Sequence, residues 1–284
     1  MAVERAGGEG SGVIYDAGGV IVTNHHVVAG ADAFNVILAT GRKLPANVIA
    51  SDPLTDLAVL RVAVGGLPAA EFAEELPPVG TLAVAVGNPL GFENTVTAGI
   101  VSGLQRSIPG PLAQTAALVD LVQTDAAISP GNSGCALVGP DGRVIGINVA
   151  YVPPAAGAVS LGFAIPAPTV VDVVEQLVTT GRARHPFLGI QPVTVTPELA
   201  RRFELGVNEG VLVVGVVAGA PAAEAGIVSG DVVASIEGER IGALGDFLAR
   251  LRDFRPGNTV TVGVVREGEQ RDIKVTLESR DDRS

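Results

Sequence analysis

The sequence of 284 residues predicts a mainly β fold organised in two domains. Short apolar runs separated by Gly, Pro and Asn continue as far as Ile165, a spacing typical of β-barrels or sandwiches and not of a parallel α/β sheet. The 37 glycines and 19 prolines supply turns, whereas tryptophan is absent and aromatic residues make up only 4%. The cores must therefore be filled mainly by Val, Ile, Leu and Ala, which favours short strands.

The first domain begins with a predicted β-hairpin. Ser11–Tyr15 and Val20–Thr23 are apolar runs, and the residues between them, DAGG, form a typical hairpin turn. The remaining predicted strands of this domain are Ala33–Leu38, Leu44–Ala50, Leu57–Val62, Leu82–Gly87, Thr95–Leu104, Leu121–Thr124, Ala136–Val138, Val144–Val149 and Leu161–Ile165.

From Pro168 the apolar period changes to that of a helix, with Val170, Val173, Val174, Leu177 and Val178 on one face. Gly181 stands where a C-terminal cap is expected, so this helix ends the first domain. The predicted boundaries are 1–180 for the first domain, 181–186 for a linker, 187–278 for the second domain and 279–284 for a polar tail.

The second domain is predicted to be small and α+β. Leu244, Phe247, Leu248, Leu251 and Phe254 occupy one face of a helix. The predicted strands of this domain are Gly210–Val217, Asp231–Ile236, Thr259–Val265 and Arg271–Leu277.

Composition excludes several classes of function. A formal net charge of −11 leaves no basic stripe for nucleic acid, and one cysteine, Cys135, precludes an intrachain disulfide. No apolar run approaches the ~18 residues of a membrane span, and Met1–Arg5 is unlike a signal peptide. We expect no metal and no cofactor.

The most informative stretch is Gln123–Leu137, QTDAAISPGNSGCAL. A serine nucleophile needs a base and must have donors for the charge that develops on the attacked carbonyl oxygen. Glycines beside Ser133 permit a tight turn in which main-chain N–H groups converge near the hydroxyl. A surface β-turn is the alternative explanation of Pro-Gly-Asn, because short motifs match by chance.

Upstream residues supply the missing base and acid. TNHHVV follows one apolar run and DPLTDLAVL leads into another, so His, Asp and Ser occur in the chain order of chymotrypsin-type enzymes. His25 and Asp52 compete with His26 and Asp56 for these roles. Neighbours on an extended chain point to opposite faces, and Asp52-Pro53 is typical of a turn, whereas Asp56 enters an apolar run. Asp125 is expected to shape the serine loop.

TNHHVV, DPLTDLAVL and TDAAISPGNSG together closely resemble the HtrA (DegP-like) family of trypsin-fold serine proteases. The resemblance implies a chymotrypsin/trypsin-like double β-barrel in which His26 is the base, Asp56 orients it and Ser133 attacks. It also implies an oxyanion hole formed by the N–H groups of Gly131 and Ser133, with Asn132 shaping the turn. Ile128 and Val152 match positions that line the specificity pocket of relatives, although both could be plain core residues.

GAPA, AGI and GDVV in the second domain resemble a PDZ domain of the HtrA type. The resemblance implies that Phe187, Leu188, Gly189 and Ile190 form a loop and strand that capture peptide C-termini, beside the helix at Leu244–Phe254. The alternative is that Phe187, Leu188 and Ile190 are core residues. The resemblance of the whole chain to the HtrA family further implies unfolded or misfolded protein substrates, a homotrimer, and an extracytoplasmic location in the cell envelope or as a secreted protein.

Two features depart from the family pattern. Met1–Glu9 are too polar and glycine-rich to predict the usual first strand, which leaves closure of the first barrel open. Relatives usually carry glycine where this chain has Cys135, and a side chain there strains the loop if the backbone requires positive φ.

Two functions remain: a serine endopeptidase regulated by peptide binding to its PDZ domain, and a peptide-binding or chaperone-like protein with weak or no proteolytic activity.

Overall fold

The computed structural model describes residues 1–5, 8–87, 95–108, 118–129, 131–152 and 161–279, without the side chains of residues 150–152. The chain divides into two compact units, Met1–Ala183 and Arg184–Ser284. The predicted mainly β architecture is confirmed, with two barrel-like sheets in the first unit and an α+β arrangement in the second. No helix among the described residues has the length and apolar character needed to cross a membrane.

The first sheet has seven strands in the order β2-β1-β5-β6-β7-β4-β3. Its end strands β2 and β3 are separated only by Gly12, so one continuous segment lies along both edges of the sheet. A short helix, α1 (His25–Val28), directly follows β4. The strands are β1 (Ala2–Arg5), β2 (Gly8–Ser11), β3 (Val13–Ile14), β4 (Val20–Asn24), β5 (Phe34–Ile37), β6 (Lys43–Asp52) and β7 (Leu57–Val62).

The N-terminal segment supplies the strand that the sequence analysis did not find. β1 pairs antiparallel with both β2 and β5, and Ala2 and Val3 are buried. The glycines that obscured this strand pair are required by close packing, since a Cβ at Gly10 would lie 2.7 Å from Val27 Cγ1. The expectation that Met1–Glu9 would form no strand was therefore wrong.

The second sheet is a closed barrel in the order β10-β13-β12-β11-β8-β9. Helix α2 (Ala167–Thr180) follows it and ends at Gly181, whose φ of 76° and N–H bond to Leu177 O form the expected cap. Its predicted apolar face is buried except for Val178, which is exposed. The strands are β8 (Leu82–Gly87), β9 (Thr95–Ile108), β10 (Leu118–Thr124), β11 (Ala136–Val138), β12 (Val144–Val152) and β13 (Leu161–Pro166).

The second unit contains a sheet ordered β15-β16-β17-β19-β20, with β15 at its edge. Phe247 and Leu251 of its longest described helix, α5, fill the core together with Leu188. The strands are β14 (Pro186–Phe187), β15 (Ile190–Thr194), β16 (Val211–Val216), β17 (Val232–Ile236), β18 (Glu239–Arg240), β19 (Thr259–Arg266), β20 (Glu269–Thr276) and β21 (Glu278–Ser279). The helices are α3 (Pro197–Arg202), α4 (Pro221–Glu224) and α5 (Leu244–Arg252).

Candidate active site

His26 and Asp56 form a two-point contact in the first unit. His26 is the second residue of α1, and Asp56 immediately precedes β7. Asp56 Oδ2 lies 2.7 Å from His26 Nδ1, and Asp56 Oδ1 accepts the His26 backbone N–H at 2.9 Å. The carboxylate is fully buried, whereas the imidazole is 24% exposed. A neutral ring that donates from Nδ1 to the carboxylate keeps the lone pair of Nε2 free to accept a proton.

The backbone of Asp56 is held in an unusual conformation. Its φ of 58° lies in the left-handed region, which is unfavourable for a residue with a side chain. Asn24 Nδ2 and the His25 N–H both donate to Asp56 O at 3.0 Å and thereby stabilise it. Asn24 is fully buried and is a positioning residue that the sequence analysis did not single out, although it lies within TNHHVV.

The two rival residues have other partners. His25 Nδ1 lies 3.0 Å from Ser51 Oγ, and Asp52 accepts the Thr55 N–H and hydroxyl, as a turn-shaping residue does. The argument that His25 and His26 diverge on an extended chain was wrong, because both belong to α1. Their side chains diverge because successive helical residues are rotated by about 100°.

The loop around Ser133 is a tight turn. Gly131 and Gly134 have φ of 96° and 84°, and the Asn132 N–H donates to Ser129 O at 3.0 Å. The Ser133 N–H has no acceptor within the described residues. The Gly131 N–H belongs to the peptide bond with Pro130, which lies outside the described residues.

The Ser133 hydroxyl donates to Val149 O at a long distance of 3.5 Å. No hydrogen bond joins it to His26 in the part of the chain that the structure describes. Catalytic hydrogen bonds are often long or absent in substrate-free enzymes and tighten when substrate binds. Hydrogen bonds of Ser11 connect the Ser133 loop to β4, the strand that precedes His26.

Ser11 links the serine loop to the first sheet and is the second residue that the sequence analysis missed. Its N–H donates to Ser133 O and its hydroxyl to Gly131 O, both at 2.8 Å. Thr23, three residues before His26, donates to Ser11 O at 2.6 Å. Gly134 packs against this pair so closely that a Cβ there would lie 2.1 Å from Ser11 O.

Of the two residues expected to line a specificity pocket, Ile128 has a described side chain and Val152 does not. Ile128 is buried and packs against Gly162, where a Cβ would lie 2.5 Å from Ile128 Cγ1. The Val152 side chain lies outside the described residues, although its backbone belongs to β12. Asp125 accepts the Ile100 N–H at 2.7 Å, a contact that ties the segment before the serine loop to β9.

Cys135 fits its position without backbone strain. Its φ is outside the left-handed region, its side chain is buried, and Asn148 Nδ2 lies 3.0 Å from its sulfur. Burial raises the pKa of the Cys135 thiol to about 11. The thiol is therefore protonated at neutral pH and acts as packing beside the Ser133 loop.

The loop at Phe187–Ile190 leads into the edge strand β15. Leu188 is buried in the core, whereas Phe187 and Ile190 are half-buried. The carbonyls of Leu188 and Gly189 accept the N–H groups of Ala222 and Val217. The N–H groups of Leu188 and Gly189 have no acceptor among the described residues.

α5 begins beside β15, where the Leu244 N–H donates to Thr194 Oγ1 at 3.0 Å. An unpaired strand edge beside a helix is the arrangement in which peptides bind by strand addition.

In the described ranges of the chain, no group of three or more His, Cys, Asp or Glu side chains could hold a metal ion.

Comparisons with known proteins identify both units. Residues 10–147 match the family model of the trypsin-like peptidase domain, and residues 186–277 match that of the PDZ domain. The DegP-like periplasmic serine endoprotease of Bartonella henselae is 41% identical over 95% of this chain and 53% of its own length. That of Hahella chejuensis is 40% identical over 96% of this chain and 58% of its own length. The chain thus spans little more than half of these relatives.

Solved structures agree with the sequence comparisons. The HtrA-type protease AlgW with a decapeptide superposes with a TM-score of 0.79 and is 37% identical, covering 95% of this chain and 82% of its own. A serine endoprotease from Yersinia pestis superposes with a TM-score of 0.72 and is 32% identical, covering 98% of this chain and 93% of its own. These matches confirm the double barrel followed by a PDZ domain that the sequence predicted.

Proposed function

The chain belongs to the HtrA (DegP-like) family of serine endoproteases, and from this premise we propose that it hydrolyses internal peptide bonds of unfolded or regulatory proteins. His26, Asp56 and Ser133 form the proposed triad. The observation that carries the proposal is the two-point contact of a buried Asp56 carboxylate with His26. A histidine held by both backbone and ring is oriented as a general base requires.

The proposed reaction proceeds by acyl transfer. Ser133 Oγ attacks the peptide carbonyl while His26 Nε2 takes the hydroxyl proton, and the Ser133 N–H donates to the developing oxyanion together with the Gly131 N–H. His26 then gives the proton to the leaving amine, and water attacks the acyl-enzyme by the same route in reverse. Asp56 stabilises the imidazolium throughout. Ile128 and Val152 are proposed to favour cleavage after small or medium apolar residues.

Digestion of casein tests this function. The wild type is expected to degrade casein, whereas Ser133→Ala and His26→Ala are expected to leave it intact. Equal residual activity in all three proteins would contradict the proposal and leave a peptide-binding or chaperone-like function.

The PDZ domain is proposed to bind peptide C-termini. The N–H groups of Leu188 and Gly189, which have no acceptor among the described residues, are suited to a carboxylate. The edge of β15, which pairs with no second strand in the described ranges, is suited to an added strand beside α5. The HtrA-type protease AlgW has been solved with a decapeptide and with a tripeptide. Peptide binding at this loop is proposed to regulate cleavage.

A homotrimer is proposed to form through the outer face of the antiparallel strand pair β8 and β9. Leu82 pairs with Ile100 and Val86 with Val96, and all four side chains are exposed on the same face. An exposed aliphatic ladder of this kind is typical of an interaction surface.

The periplasmic location in the relatives' names supports an extracytoplasmic location for this chain.

Placing charges on this ladder is expected to dissociate the oligomer. The double variant Leu82→Asp with Ile100→Asp should sediment as a monomer at concentrations where the wild type is a trimer, because burying the new carboxylates would be costly. Val178→Asp, at an exposed position of α2, is the matched control and should stay trimeric. A monomeric wild type, or a trimeric double variant, would disprove this interface.

Ser11→Ala is expected to lower kcat about tenfold with little change in KM. The variant keeps the N–H bond to Ser133 O but removes the hydroxyl from Gly131 O, and losing a buried hydrogen bond costs about 1–3 kcal/mol. Hydrolysis of a fluorogenic peptide measures both constants. Ser235→Ala in the second unit is the control. If Ser11→Ala lowers the melting temperature but leaves kcat unchanged, Ser11 is only structural.

A further inference from the structure

A mainly apolar cleft of about 490 Å³ lies on the PDZ sheet, on the face where Leu212 packs in a second, smaller hydrophobic core with Val195 and Val232. Val211 and Val213 of β16 pack into the larger core, so the alternate residues Leu212 and Val214 point to the opposite face. Leu212, Val213 and Val214 all line the cleft. Val193 of β15 contributes to the same surface, and the segment that follows α3 forms a wall through Phe203 and Leu205. None of Phe187–Ile190 and no residue of α5 lines it.

Three apolar residues that line this cleft are exposed to solvent. Phe203 is 55% exposed, Val214 48% and Val193 39%. Each square ångström of apolar surface left in water forgoes about 25 cal/mol of stabilisation, so an exposed cluster of this kind is costly unless a ligand covers it. Exposed apolar patches rimmed by polar residues typically mark binding sites.

The rim of the cleft is negatively charged. Glu204 and Glu267 both line it, and neither forms an ion pair or hydrogen bond within the described part of the chain. Their turns touch, since a Cβ at Gly206 would lie 3.3 Å from Gly268 Cα. The two carboxylates therefore belong to one edge of the cleft.

Neighbouring cations do not line the cleft. The Arg266 guanidinium donates to both carboxylate oxygens of Asp231, at 2.6 and 2.7 Å, and to Gly226 O. Arg202 lies over the Phe203 ring, 5.5 Å from its centroid. The pKa of Arg266 is raised mainly by its hydrogen bonds to Asp231 and to a smaller extent by the charge of Glu267. Two carboxylates beside an apolar floor, in a lining that includes no cation among the described residues, are complementary to a ligand that carries an apolar group next to a positive charge.

The openness of the cleft distinguishes between classes of ligand. Pockets for small molecules usually bury 70–90% or more of the ligand, which a cleft with half-exposed walls does not readily do. A peptide, by contrast, needs to insert only a side chain and leaves its backbone in solvent. We propose that this cleft binds an internal peptide segment in which a bulky apolar side chain adjoins lysine or arginine.

The proposed site goes beyond the proteolytic function and beyond capture of C-termini. It requires neither the carboxylate loop nor Ser133. Because Val193 lies on β15, an internal segment of a substrate chain can contact this face of the strand while the C-terminal end of the same chain occupies the strand edge. Such two-point attachment would raise the effective concentration of a substrate at the PDZ domain.

Fluorescence anisotropy with a labelled peptide tests the proposal. The probe is acetyl-Ser-Gly-Lys-Leu-Phe-Lys-Gly-Ser-amide, whose amidated end offers no carboxylate, and the protein is the full chain with Ser133→Ala. We expect saturable binding that an excess of unlabelled peptide ending in a free valine carboxylate does not displace. Since hydrolysis is not measured, the result is independent of whether the chain is a protease.

Variants then locate the bound peptide. Phe203→Ala removes an exposed wall and is expected to weaken binding about tenfold, and Glu204→Gln with Glu267→Gln about fivefold, with a smaller salt dependence. Glu224→Gln, an exposed glutamate outside the cleft, is the matched control and should bind as the parent does. Unchanged melting temperatures confirm that the variants fold.

Any of four results would overturn the proposal. The first is no saturable binding, and the second is equal binding by all variants. The third is displacement of the probe by the free-carboxylate peptide, which would place it in the groove beside α5. Self-association that Phe203→Ala abolishes would instead identify the occupant as a second copy of the chain and would equally contradict a peptide ligand.

Discussion

Ser133→Ala is expected to reduce kcat for peptide hydrolysis by about 10⁶-fold, the loss seen when a catalytic serine is removed from a comparable triad. Without the hydroxyl, no acyl-enzyme forms, and only the oxyanion donors and substrate binding remain to accelerate attack by water. Turnover of a fluorogenic peptide ending in a small apolar residue measures the loss.

The same substitution should leave the fold intact. Within the described residues, the Ser133 hydroxyl makes one long contact, with Val149 O, whereas the loop is held by the backbone bonds of Ser11 and Asn132. The melting temperature of Ser133→Ala should therefore match that of the wild type. Substantial remaining turnover in a well-folded variant would exclude Ser133 as the nucleophile.

Asp56→Asn is expected to reduce kcat by about 10⁴-fold. The amide can present its NH₂ group to His26 Nδ1, which stabilises the wrong tautomer and leaves Nε2 protonated and unable to act as base. It also removes the charge that stabilises the imidazolium. Steady-state hydrolysis of the same peptide measures the effect.

Asp52→Asn is the matched control for Asp56→Asn. Asp52 accepts hydrogen bonds from Leu54 and Thr55 that shape the turn before Asp56, so its substitution should affect stability more than kcat. Comparable losses of kcat in both variants would show that the segment as a whole, and not the Asp56 carboxylate, supports the activity.

Sequence alone predicted most strands of the first unit because each is a short apolar run between turn residues. The cap at Gly181 and the contact of His26 with Asp56 were likewise accessible, the first from helix chemistry and the second from family resemblance. The N-terminal strand was missed because its partner contains Gly8 and Gly10, and close packing against Val27 was invisible in the sequence.

The support of the serine loop could not have been predicted. Ser11 lies 120 residues before Gly131, and a serine between two glycines is typical of a turn. Only the folded chain shows that it is buried and donates to two carbonyls of the loop. The left-handed backbone of Asp56 was similarly hidden, because it depends on the buried Asn24 amide.

Labelling by a fluorophosphonate probe tests most directly whether Ser133 is an activated nucleophile. The wild type should incorporate one probe at Ser133 in a time-dependent reaction that Ser133→Ala abolishes and that His26→Ala and Asp56→Asn slow by orders of magnitude. An unlabelled wild type, or equal labelling rates in the His26 and Asp56 variants, would contradict a hydrolase in which these three side chains act together.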